Sequence, residues 1–68
     1  DYTLAYKFLS DAANINAVFA YRFLGQCYEF GLGTETNIDK AISWYEKDTK
    51  SGLHHPDVIT HLKELKSK

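Results

Sequence analysis

The stretch LGQCYEFGLGT, Leu24 to Thr34, places Gly25 inside an apolar run and then brings Gly31 and Gly33 in quick succession. Three readings compete for these glycines: a phosphate-binding loop, a broken helix, or a fixed piece of architecture. Upstream, Ala17, Ala20, Tyr21, Leu24 and Tyr28 share one face at helical spacing, which predicts a helix running to about Phe30. Gly31 and Gly33 then end it, because glycine enters left-handed backbone without a Cβ penalty. The nucleotide reading fails on the same residues. Thr36 stands where a dinucleotide fingerprint needs its third glycine, a helix rather than a strand precedes the run, and the Gly-Lys-Ser/Thr ending of a P-loop is missing.

Working outward, Leu4, Ala5, Phe8, Leu9, Ala12 and Ala13 lay one stripe on an earlier helix. After the glycines, Asn37 is a fair N-cap for a third helix whose apolar surface is Ile38, Ala41, Ile42, Trp44 and Tyr45, with Gly52 as its stop. Pro56 sits in the first turn of a fourth helix, or just ahead of Asp57 as its cap; Val58, Ile59, Leu62 and Leu65 stripe that helix. No segment alternates with period two for long enough to be a strand. The expected fold is all-α, with four helices and short connections.

The chain also matches itself. Ala5, Phe8, Leu9 and Asn16 fall 36 positions before Ala41, Trp44, Tyr45 and Gly52, and Ala20 and Leu24 fall 38 before Val58 and Leu62. Helices one and three are therefore copies of one element, and two and four copies of its partner. The signature Ala20, Leu24, Gly25, Tyr28, Gly31, Gly33, followed by Asn37, Lys40, Ala41, Trp44, Tyr45, Lys47 and Gly52 and then His55-Pro56-Asp57, resembles the Sel-one-like (Sel1-like) repeat, a solenoid relative of the tetratricopeptide repeat. The resemblance implies antiparallel helix pairs stacked in a right-handed α/α superhelix. On that basis residues 1–15 are the second helix of a preceding repeat, 17–52 a complete repeat, and 57–68 a C-terminal capping helix, the whole being one repeat segment at the C-terminal end of a longer array. Gly25 becomes a packing glycine at a close helix crossing, so leucine there or at Ala41 is expected to destabilise by roughly 1–3 kcal/mol through overpacking.

Three departures from the pattern stand out. Asp48 and Thr49 occupy places where the earlier copy has Ala12 and Ala13, Lys63 replaces the packing glycine, and Lys66 replaces Tyr28. An aspartate at a close helix contact is costly if buried without a partner. The charged fourth helix suits a terminal cap.

Composition narrows the function. A core built from 68 residues seldom provides more than about 3–5 kcal/mol without a staple or a neighbour. The absence of methionine and the start at Asp1 fit a piece of a longer polypeptide. A net charge of -1 gives no general attraction to nucleic acid, although Lys47, Lys50, Lys63, Lys66 and Lys68 concentrate basic charge in the last third. Apolar runs are far short of the ~20 residues of a membrane span. The single cysteine, Cys27, cannot form a disulfide within the segment and slightly favours a reducing, cytoplasmic setting.

No catalytic constellation stands out. Cys27 lacks a neighbouring base and reads as a structural thiol. His54, His55 and His61 with Asp57 invite a metal reading, but their spacing does not place two imidazoles on one helix face, and polar-loop and surface roles are preferred. Trp44 and Tyr45 could stack a ligand, yet at these positions they read as core, filling with Tyr28 the space between the helices of the repeat and against helix one. No cofactor or metal is expected. What remains is surface. By analogy with the tetratricopeptide fold, Phe19, Arg22, Gln26, Glu29 and Phe30 point outward on the concave face, opposite Leu24, and are the candidate partner-binding residues. The expected role is a non-catalytic adaptor or scaffold segment that binds proteins or peptides and adjoining repeats. The resemblance extends to membrane-associated complex assembly, degradation at the endoplasmic reticulum, cell-wall regulation and host contact. Its rival is a regulatory module fused to a catalytic domain such as a protein kinase. A secreted, cysteine-rich variant of the fold is disfavoured by the solitary Cys27.

Overall fold

A computed structural model describes residues 1–52 and 55–67 of the chain. His54, considered above as a metal ligand, and Lys68 of the basic tail lie outside the described residues. Four helices follow in order: α1 (Tyr2–Asn14), α2 (Phe19–Phe30), α3 (Ile38–Lys50) and α4 (Pro56–Lys66). Among the described residues there is no strand, and the fold is the all-α arrangement of helix pairs expected from the sequence.

Local chemistry sets each boundary. Asp1 caps α1 by accepting from the Thr3 N–H at 2.9 Å, so that helix begins two residues before its first striped leucine. Asn16 (φ 60°) and Gly52 (φ 93°), the pair matched at 36 residues, are both left-handed where the first and third helices end. Gly31 (φ 70°, ψ 41°) closes α2 in the same region, its N–H bonded to the Cys27 carbonyl. The Asn37 N–H returns to the Tyr28 carbonyl at 2.7 Å, and the Asn37 side chain then caps α3 by accepting from the Lys40 N–H at 3.1 Å. Pro56 occupies the first turn of α4, where its missing N–H leaves no helical bond unmade.

Successive helices pack on one another: α1 on α2, α2 on α3 and α3 on α4. Because the molecule is only 15 Å thick in its shortest dimension, few side chains are fully enclosed. The core is Ala41, Tyr45, Val58, Leu62 and Leu65, with Tyr28 and Ile42 against it, and Ala20 and Leu24 are buried beside it on α2. Gly33 adds a contact the sequence did not announce. A Cβ there would strike the Tyr2 carbonyl oxygen and come within 2.8 Å of the Tyr6 Cβ, so this glycine also seats the turn against α1.

Along the α1 stripe only Ala12 is buried, while Leu4 and Phe8 are 68% and 63% exposed, because no described element covers that face. One packing expectation is corrected. Trp44 is half-buried and does not fill the space toward α1. It stacks on Tyr21 with centroids 5.7 Å apart and carries the Lys47 ammonium 4.8 Å above its ring. Tyr28 does reach α1 as expected, its hydroxyl meeting that of Tyr6 at 2.7 Å.

Candidate functional site

The five outward positions predicted on α2 fall into three surroundings. Phe19 lies beside Phe8, ring centroids 6.5 Å apart, in an apolar cleft of about 370 Å³ that also involves Ala12 and Ile15. Arg22 turns its guanidinium over the Phe23 ring at 4.9 Å. Gln26, Glu29 and Phe30 instead line a groove of about 350 Å³ whose other walls are Tyr45 from α3 and Asp57, Val58 and His61 from α4. Gln26 and Phe30 are exposed as predicted.

Glu29 is not outward. Its side chain is 9% exposed. Oε1 accepts from the Tyr45 hydroxyl at 2.9 Å, and the His61 Nε2–H reaches both carboxylate oxygens, at 2.7 and 2.8 Å. The physical reason is that Tyr45 from α3 and His61 from α4 close over this carboxylate, which turns a position on the solvent stripe of an isolated helix inward. Tyr45 and His61 also meet edge to face, with centroids 5.6 Å apart, so this carboxylate ties three helices together at the base of the groove.

Burial and the neighbouring Glu29 carboxylate push the Tyr45 phenol well above its ordinary value of 10. Its protonated form is the one the fold holds. Stability from this group is therefore full below about pH 10 and falls as pH rises above that value toward the folded pKa. The melting temperature is expected to fall in alkali between about pH 10 and 12, with Tyr45→Phe flattening that fall; an equal slope in both proteins would remove Tyr45 as its source.

The other described histidine is paired as well. His55 Nδ1 lies 2.9 Å from Asp48 Oδ2. The sequence reading left His55 and His61 in polar-loop or surface roles, whereas both fasten the start and middle of α4 to the repeat. Asp48 is fully buried, and its Oδ1 has no hydrogen-bond partner among the described residues. Among the described residues no three side chains of metal-ligating type converge, and no helix is long and apolar enough to cross a membrane. Cys27 is buried, and burial pushes its thiol up from the usual value, away from the reactive thiolate.

The helix pair, its glycine turn and the packing glycine at its crossing agree with the family comparison: the Sel1 repeat model matches residues 18–47. Residues 18–47 carry a Sel1 repeat. The match begins one residue before α2 and ends within α3, so it takes in Gly25, Gly31, Gly33, Ala41, Trp44 and Tyr45. No curated protein and no solved structure matches the chain. Sel1 repeats are protein-interaction repeats without catalytic chemistry of their own, which makes a general scaffold role the function class of this segment.

Proposed function

We propose that this Sel1 segment binds a partner protein or peptide in the groove between α2 and α4, with Gln26 and Phe30 as contacts and Glu29 as its fixed floor. The observation that carries the reading is Phe30, a large aromatic side chain left 62% exposed at the lip of a formed groove. Exposed aromatics beside a recess are the usual anchors of protein interfaces. α2 and α4 occupy equivalent places in the internal repeat, so the groove lies between successive first helices, the surface that a helical-repeat array turns toward its partners.

Phe19 has a different role in this reading. With Leu4, Phe8 and Ile15 it forms an apolar face on α1 and α2, suited to a neighbouring helix of the array. That supports residues 1–15 as the second helix of a preceding repeat, 17–52 as the complete repeat and 57–68 as a capping helix. Arg22, folded over Phe23, lines neither the groove nor the cleft.

The test is capture of a partner by the longest array containing this segment, comparing wild type with Gln26→Ala/Phe30→Ala at equal helicity by circular dichroism. Retention should drop by about fivefold or more, which corresponds to the ~1 kcal/mol that marks a significant interface residue. A partner held equally by both proteins would place binding elsewhere.

A further inference from the structure

We infer that the α2/α4 groove selects a cationic side chain, arginine foremost, on the segment it binds; this rests on the groove being the binding surface. Its lining contains two carboxylates, Glu29 and Asp57, and neither lysine nor arginine. His61 is the one lining group able to carry positive charge, and it offsets at most one of the two. The groove is thus net negative whichever form His61 takes.

The two carboxylates differ in a useful way. Glu29 is held by three hydrogen bonds from two side chains, Tyr45 and His61, so its carboxylate is fixed at the floor with little freedom left to lose on binding. Asp57 stands exposed in the first turn of α4 and pairs with no basic side chain among the described residues. It is available for a charge-assisted bond to an incoming cation. Phe30 supplies the third element. A planar guanidinium can stack on its exposed ring while presenting its N–H groups to a carboxylate, a combination an ammonium makes less well. The volume of about 350 Å³ is at the low end of the ~300–1,000 Å³ typical of small-ligand sites, which suits one long side chain of a bound segment. An acidic residue brought to the same place would meet uncompensated like charge, so the groove discriminates by repulsion as well as attraction.

Selection of phage-displayed random dodecapeptides on the immobilised 68-residue chain tests this directly, followed by amide-shift mapping and anisotropy titration with the synthetic peptides. Enrichment of arginine- or lysine-bearing peptides is expected. They should shift amides in residues 26–30 and 57–61, bind more weakly as salt rises, and lose roughly three- to tenfold in affinity when their cation is changed to glutamine or when the protein carries Asp57→Asn. Peptides that map to the groove but are enriched in neutral or acidic residues would overturn the charge preference and leave the groove as a binding surface. Peptides that map elsewhere, or no enrichment at all, would overturn both.

Discussion

His55→Ala is expected to remove most of the stability of this fold, whereas Asp48→Ala should leave it unchanged or raise it. Asp48 lies in the last third of α3, fully buried, where the related position in α1 is Ala12. Its Oδ2 is satisfied by His55 at 2.9 Å and its Oδ1 by none of the described residues. Truncating His55 leaves both oxygens without a partner in the interior, and breaking a buried pair from one side typically costs about 3–5 kcal/mol. His55 is 26% exposed, so water relieves part of this and ~3 kcal/mol is the expected loss. That approaches the whole ~3–5 kcal/mol a core of this size supplies. The reverse truncation removes the buried carboxyl group itself, and the imidazole left behind still reaches solvent. Replacing a buried ionic pair by apolar atoms is often neutral or stabilising, so Asp48→Ala/His55→Ala should behave like Asp48→Ala. Urea unfolding followed by far-ultraviolet circular dichroism measures all three. Equal losses in the two single variants would show that the pair stabilises symmetrically and that the unpartnered Oδ1 carries no penalty.

This asymmetry also explains which features were legible in the sequence. Caps and turns are written locally: Asn37 needs only Lys40, Gly31 only its own φ, and Pro56 only its own ring. The repeat offset was legible because it preserves residue class, and Asn16 and Gly52 both proved left-handed. Periodicity, however, reports only the face of one helix. It put Leu4 and Phe8 on one stripe of α1, and they are exposed, because the stripe does not say whether anything lies opposite. Glu29 fell on the outward stripe with Arg22 and Gln26, yet His61, 32 residues later, reaches across to hold it. A pairing at that separation leaves no local pattern. The one signal was the odd residue: a carboxylate at Asp48, in a place suited to alanine, required a partner, and the nearby histidine supplies it.

Gly25→Leu is expected to prevent folding of the isolated chain, and Gly25→Ala to destabilise it by about 1–2 kcal/mol even though alanine is favoured over glycine in a helix by ~1 kcal/mol. A Cβ built on Gly25 falls 2.6 Å from Tyr45 Cε1 and 2.8 Å from Cδ1 and Cζ. Such contacts are tolerable only if the neighbour can retreat. Tyr45 is 2% exposed, and its hydroxyl is held by Glu29, which His61 holds in turn. The ring therefore has little room to move without loosening α4 and the floor of the groove. The clash is with the ring itself, so Tyr45→Phe should not relieve it, whereas Tyr45→Leu should. In the Tyr45→Leu background, already weakened by the lost aromatic packing, adding Gly25→Ala should become stabilising as the helix-propensity gain is no longer opposed. That reversal of sign, read as the coupling in a double-mutant cycle of urea midpoints, is the demanding part of the prediction. If Gly25→Ala stabilises both backgrounds, the Tyr45 ring does not require a glycine beneath it. If it destabilises both equally, the obstacle is the helix backbone around position 25 and not the aromatic ring that packs on it.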